Sequence, residues 1–154
     1  MCRSRASVAR PGSSLGGIEW GTAFDDGRIY VSLNNLYQIP YPPGGPNINY
    51  GSYAALDAST GQVLWYTPDP SGSPLDLGAV STTNGVVFVG SMSGHMYALD
   101  GANGNVLWDF QGQGSSNAGP AISKDGVVYW GNGYERFFLG TPSRTFYAFS
   151  IDGK

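Results

Sequence analysis

The stretch Ala55-Leu56-Asp57-Ala58-Ser59-Thr60-Gly61-Gln62-Val63-Leu64-Trp65 returns 43 residues later as Ala98-Leu99-Asp100-Gly101-Ala102-Asn103-Gly104-Asn105-Val106-Leu107-Trp108. A phrase repeated at such an offset marks an architecture of stacked units. Each residue type in it has a local task. Asp57 and Asp100 can accept backbone N–H bonds within a turn, Thr60 and Asn103 can add a second local bond, and Gly61 and Gly104 supply positive φ. Ala55 and Ala98 leave room for close approach, while Trp65 and Trp108 bring a large flat ring with one N–H donor to a seam between units.

Ahead of each phrase lies a turn followed by a strand-like run, Gly27-Arg28-Ile29-Tyr30-Val31 and Gly85-Val86-Val87-Phe88-Val89, and a third copy stands at Gly126-Val127-Val128-Tyr129-Trp130. Asp26-Gly27, Asn84-Gly85 and Asp125-Gly126 read as hairpin turns, because Asn or Asp before Gly tolerates the positive φ angles of a tight two-residue connection. The pattern predicts four antiparallel strands per unit, over 18–66, 75–110 and from 118 onward, with no helical stripe of useful length. Units of roughly 40 residues with four strands have the arithmetic of propeller blades. The expected fold is therefore all-β: a partial β-propeller over 16–154, with four-stranded antiparallel blades at about 17–70, 73–114 and 115–154, the last incomplete. Residues 1–15 show no strand alternation and read as a disordered or artefactual start. Their Arg- and Ser-rich, acid-free character also suits an organelle presequence. Closure of a ring takes about four to eight blades, so three leave open edge strands that invite the remaining blades or another chain.

Composition narrows the function. Twenty-one aromatic residues, with 24 Gly and 10 Pro, describe a turn-dense globular chain and not a disordered one. Eight basic residues stand against eleven acidic ones, and Arg3, Arg5 and Arg10 lie together at the start. The remaining body is acidic and lacks the clustered positive face that nucleic acid requires. No run is long and apolar enough for a membrane span, and no segment resembles the apolar core of an export signal. The single cysteine, Cys2, forbids an internal disulfide or a multi-cysteine metal site, and the absence of Cys-x-x-Cys-His excludes attached c-type haem from this chain. His95, in Ser93-Gly94-His95, has no partner His or Cys and reads as an exposed turn residue. Gly131-Asn132-Gly133 lacks the third glycine and the βαβ setting of a dinucleotide fingerprint and signifies a turn.

Two insertions interrupt the spacing. One carries Ile39-Pro40-Tyr41-Pro42-Pro43-Gly44-Gly45-Pro46, a loop because proline removes ladder donors. The other spans 133–143 and carries Tyr134, Phe137 and Phe138. Such loops either cover a binding face or pack on a neighbouring blade.

The phrase Ala-x-Asp-x-x-Thr-Gly-x-x-x-Trp resembles the tryptophan-docking motif of quinoprotein propellers, the pyrroloquinoline quinone (PQQ) dehydrogenases and their PQQ-like relatives. Copy one matches fully, and copy two carries Asn103 for Thr. The opening Gly16-Gly17-Ile18-Glu19-Trp20-Gly21-Thr22-Ala23 is most similar to the later blades of polyvinyl-alcohol dehydrogenase-like quinoproteins. Docking motifs also occur in non-catalytic members such as outer-membrane assembly lipoproteins. The resemblance implies PQQ near the axis, a calcium ion polarising the quinone, an Asp base, and a small alcohol or polymer substrate. Calcium would need about six to eight oxygen ligands drawn from several blades.

Little of that set maps onto this chain. Glu19 and Trp20 open the inner strand of the first unit, where a carboxylate beside an aromatic ring could contact the quinone. The alternative places Trp20 in a seam and Glu19 in solvent. Asp76 and Asn117 occupy corresponding blade openings and are further polar candidates at the same rim. The calcium ligands and the catalytic base are not identifiable. The expectation is thus a fragment of a PQQ-dependent alcohol dehydrogenase propeller, inactive alone, in the periplasm or cell exterior. Its rival is a cofactor-free propeller acting as a protein-binding or assembly scaffold.

Overall fold

The computed structural model describes residues 12–41 and 48–151, which form three antiparallel sheets and no helix. The unpatterned start up to residue 11, the Pro42–Pro46 part of the first insertion, and residues 152–154 lie outside the described residues. Strands β1 (Ala23–Asp25), β2 (Arg28–Leu33), β3 (Ser52–Asp57) and β4 (Val63–Pro68) make the first blade in consecutive order. The second blade repeats it with β5 (Ser81–Thr83), β6 (Val86–Gly90), β7 (His95–Asp100) and β8 (Val106–Gln111). In the third, β9 (Ala121–Ile122), β10 (Val128–Gly131) and β11 (Phe146–Phe149) give three strands among the described residues. The short strands β1, β5 and β9 lie side by side, so the meanders stack as blades of one propeller segment.

The hairpin chemistry acts as its residues require in two blades. Asp26 and Gly27 have φ of 43° and 74°, and Asn84 and Gly85 of 50° and 75°, both positive, as a two-residue turn matching strand twist demands. The third turn differs: only Gly126 is left-handed, and a Gly126 N–H bond to the Ser123 carbonyl closes a longer loop. Ser123 holds the loop in this form: its N–H donates to the Val127 carbonyl and its Oγ accepts Val127 N–H at 3.1 Å.

Both copies of the repeated phrase carry the same irregularity. Ala55 faces Trp65 and Leu56 faces Val63, so Leu64 is skipped; Ala98 faces Trp108 and Leu99 faces Val106, so Leu107 is skipped. This bulge turns Leu64 and Leu107 outward, 48% and 58% exposed, and keeps the tryptophan on the inter-blade side of its sheet.

Apolar cores fill the seams. Tyr30, Tyr53 and Ala55 of the first blade meet Val87, Val89, Tyr97 and Leu99 of the second, and Met96 of the second meets Val128 and Trp130 of the third. At that second seam Phe110, Tyr147 and Phe149 pack in edge-on and stacked pairs 5.0–5.6 Å apart, the geometry ring quadrupoles favour.

The turns Asp26-Gly27, Asn84-Gly85, 57–62 and 100–105 lie at one end of the blades. The β2–β3 and β10–β11 insertions and the β4–β5 and β8–β9 connections lie at the other.

Candidate functional site

At the hairpin end, Asp57 Oδ1 accepts from Ser59 N–H at 2.9 Å, Ser59 Oγ at 2.6 Å, Thr60 N–H at 2.8 Å and Thr60 Oγ1 at 3.0 Å. These donors, led by the Ser59 hydroxyl, hold its carboxyl down at about 2. Asp100 accepts from Ala102 N–H and from Asn103 Nδ2, and Asn103 Oδ1 accepts from Asn105 N–H at 2.8 Å. Asn103 therefore does with its amide what Thr60 does with its hydroxyl, which accepts from Gln62 N–H at 3.2 Å.

The first tryptophan crosses the seam. Trp65 Nε1 donates to the Gly101 carbonyl at 3.1 Å, Tyr30 OH donates to the same oxygen at 3.3 Å, and Thr67 Oγ1 donates to the Gly104 carbonyl at 2.6 Å. A Cβ on Gly101 would stand 2.7 Å from Tyr30 OH and 2.8 Å from the Gly85 carbonyl, and one on Gly104 2.7 Å from the Trp65 ring. The close approach explains glycine at 101, where copy one has Ala58. Trp108 packs on Phe110 and Phe149. These contacts position the opposite end of the blades.

Glu19 and Trp20, expected to open the inner strand, lie three or more residues ahead of β1. The chain leaves the ladder there because the Gly21 carbonyl accepts Val80 N–H of the second blade at 2.9 Å and the Gly17 carbonyl accepts Asn34 N–H. Trp20 is 51% exposed. Glu19 is half-buried, and its Oε1 accepts Asn34 Nδ2 at 2.8 Å. Partial burial raises its carboxyl, and the Asn34 bond opposes that rise.

A cavity of about 440 Å³ opens beside Trp20. Asn117, Ser115, Asn132 and Tyr134 line it with Trp20, and Gly131 and Gly133 keep the wall to bare backbone on the third blade. Trp20 and Asn117 thus come together, while Glu19 and Asp76 do not line the cavity. Asp76 sits fully buried within the β4–β5 connection and not at an open rim.

Two amide oxygens in this wall, Asn117 Oδ1 and Asn132 Oδ1, are buried without a hydrogen-bond partner. Asn132 is held in place by Nδ2 donating to the Gly114 carbonyl at 3.0 Å, and Gly133 N–H donates to the Ser115 carbonyl at 2.8 Å. An unpaired buried acceptor costs about 1–3 kcal/mol, and neither oxygen has accessible surface on the cavity. The arrangement can stack a flat ring on Trp20. Sequence reading missed Asn132, because Gly131-Asn132-Gly133 carries only the local signal of a turn.

The aromatic insertion both packs and lines. Leu139 and Tyr134 pack against Leu75, Leu77 and Met92, while its tip, Phe137 and Phe138, has φ of 52° and 63° and stands 75% and 103% exposed. His95 also differs from its expected state as an exposed turn residue: it opens β7, its Nδ1 lies 2.6 Å from Asp109, and its ring stacks on Tyr97. Among the described residues no group of three His, Cys, Asp or Glu could hold a metal, and no helix is long and apolar enough to cross a membrane.

A sequence profile of the PQQ-repeat family described as outer membrane protein assembly factor BamB matches residues 3–153. A polyvinylalcohol dehydrogenase of Sphingopyxis sp. (strain 113P3) is 33% identical over 93% of the chain, and a quinoprotein ethanol dehydrogenase of Pseudomonas putida 29% identical over 76%. The chain spans only 26% and 22% of these relatives. Among solved structures, a europium-containing methanol dehydrogenase superposes with a TM-score of 0.59 at 24% identity, covering 78% of this chain and 26% of its own. The BamB of Moraxella catarrhalis gives 0.52 at 15%, covering 71% and 29%. At these identities the structural likeness shows the fold: an all-β segment of a quinoprotein-type propeller.

Proposed function

The chain belongs to the PQQ-repeat propeller family described as outer membrane protein assembly factor BamB, and from that premise we propose that its blades form one wall of the quinone site of an alcohol dehydrogenase. The observation that carries this is the convergence of Trp20, Asn117, Asn132 and Tyr134 on one cavity at the loop end. Bound PQQ would supply the electron acceptor for alcohol oxidation. This chain's part is to stack the ring on Trp20 beside Asn117 and Asn132. Among the described residues the cavity lining holds no Lys, Arg or carboxylate. The cations that pair PQQ's carboxylates, the calcium ligands and the catalytic base accordingly belong to other blades of a longer protein, consistent with a chain spanning about a quarter of its dehydrogenase relatives. On this reading the chain alone binds weakly, does not turn over alcohol, and acts in the periplasm or cell exterior.

One observation favours a second reading. The Phe137-Phe138 tip is fully solvent-facing and left-handed at two bulky residues, a strained arrangement of the kind retained at contact sites. A cofactor-free scaffold would use it to grip another protein. Titration of the chain with PQQ and calcium separates the two. Saturable quenching of tryptophan fluorescence that is lost in Trp20→Ala and Asn117→Ala supports the quinone wall; a folded chain that does not respond supports the scaffold.

A further inference from the structure

Away from the cavity, two aspartates are buried together at the seam of the first two blades. Asp69, 1% exposed, follows β4, and Asp76, 0% exposed, lies later in the same β4–β5 connection. Asp69 is saturated with neutral donors. Its Oδ1 accepts from Ser71 N–H at 2.7 Å, Ser71 Oγ at 2.7 Å and Tyr97 OH at 3.0 Å, and its Oδ2 from Ser91 Oγ at 2.5 Å.

Asp76 has the opposite surroundings. Neither of its oxygens, nor the Tyr53 hydroxyl, makes a well-formed hydrogen bond, although the Tyr53 and Ser91 hydroxyls lie close enough to lower its carboxyl in part. The charge that acts on it most strongly is the Asp69 carboxyl, which is itself an acceptor. No cation offsets the pair: the ion pairs of the described residues are Arg28–Asp26 and His95–Asp109. The titratable groups facing the pair are Tyr53 from β3, Tyr97 from β7 and Tyr41 from the β2–β3 connection, with the His95–Asp109 pair beyond Tyr97. Burial first, then the negative charge of Asp69, push the Asp76 carboxyl well above the usual carboxylate range.

Two charged carboxylates cannot share such a site, and one proton resolves the conflict by making Asp76 a donor to Asp69. A bound cation is the competing resolution. It needs several oxygen ligands, whereas Asp69 already holds four hydrogen bonds. We propose that Asp69 and Asp76 share a single proton that closes the seam between the first and second blades, and that losing it as pH rises loosens the seam. The latch joins Gly51 and Tyr53 of the first blade to Ser91 and Tyr97 of the second. Room is so short that a Cβ on Gly51 would stand 2.8 Å from the Asp76 carboxyl carbon.

The sign follows from linkage. A carboxyl raised in the folded state binds its proton there while the unfolded chain has released it, so stability falls as pH rises from the ordinary carboxylate range up to the folded value. Denaturant unfolding of the 154-residue chain, of Asp76→Asn and of Asp69→Asn, between mildly acidic and alkaline pH, tests this. For the unsubstituted chain the unfolding constant rises up to tenfold per pH unit from this proton. Asp76→Asn keeps the shape and a donor and removes the charge. It flattens that slope and is the more stable protein at high pH. Asp69→Asn weakens four bonds and is destabilised at every pH. A second readout needs no variant: infrared spectra of the chain labelled at aspartate show a protonated carboxyl stretch that persists above the ordinary carboxylate range and disappears as pH rises further. Absence of that band, or an Asp76→Asn variant with an unchanged slope, overturns the proposal. So does a calcium-dependent stabilisation that Asp76→Asn abolishes, which would assign the pair to a cation.

Discussion

Alanine at position 104 tests how the blades are joined. Gly104 has φ of 77°, a conformation that costs an L-residue about 1–2 kcal/mol. Its new Cβ would also stand 2.7 Å from the Trp65 ring and press on Thr67 Oγ1 across the seam. Displacing a packed indole adds about 1–3 kcal/mol, so Gly104→Ala loses about 2–5 kcal/mol in all. Gly85→Ala is the control: φ is 75°, and nothing lies within 4 Å of its Cβ, leaving only the backbone cost of about 1–2 kcal/mol. Urea unfolding at constant slope reads both losses as shifts in midpoint. The excess at Gly104 also shrinks in a Trp65→Ala background, because the two positions are in contact and couple. Equal losses at 104 and 85, or an excess indifferent to Trp65, would refute the docking role of the repeated phrase.

Other outcomes follow from single contacts. Trp65→Phe keeps an aromatic ring but loses the bond to Gly101 and part of the indole's packing; because Tyr30 OH still serves that carbonyl, the hydrogen-bond part of the loss is about 1 kcal/mol, and the lost packing adds to it in the same assay. Asp57 titrates at about 2 in the folded chain; its contribution is present above the usual carboxylate range and is lost as pH falls through about 2, which carboxyl NMR follows directly. Asn-Gly in place of Phe137-Phe138 relieves left-handed strain at two exposed residues and raises Tm by about 2–4 °C per kcal/mol recovered. An unchanged or lower Tm would mean that the tip is held by contacts its exposure does not show.

The docking phrase was legible because its chemistry is local and written twice: Asp, Thr or Asn, and Gly act within one turn, and the Ala–Trp pairing recurs with its bulge. Strand order followed from the same regularity. The third turn departs from the pattern because the Ser123 hydroxyl takes the Val127 N–H and the Ser123 carbonyl takes Gly126 N–H, contacts that the Asp-Gly dipeptide does not reveal. The cavity was half legible. Trp20 and Asn117 stand out from their places in the repeat, whereas Asn132 follows β10 in what reads as a plain turn and Tyr134 enters from an insertion with no counterpart in the other blades. Glu19 and Asp76 show why position in a repeat does not settle environment. Glu19 is turned to Asn34, and Asp76 is buried against Asp69, a partner on the same connection that no spacing rule reveals.

The central claim is that the loop-end cavity receives the quinone. The four tryptophans occupy distinct settings: Trp20 in the cavity wall, Trp65 and Trp108 in the seams, and Trp130 fully buried with Nε1 donating to the Ala118 carbonyl at 2.6 Å. Indole N–H resonances of the chain, recorded while PQQ and calcium are added, therefore locate the ligand directly. The account predicts a saturable shift confined to Trp20, together with the side-chain amides of Asn117 and Asn132. Shifts centred on Trp65 or Trp108, or no shift in a folded chain at high PQQ, would contradict it.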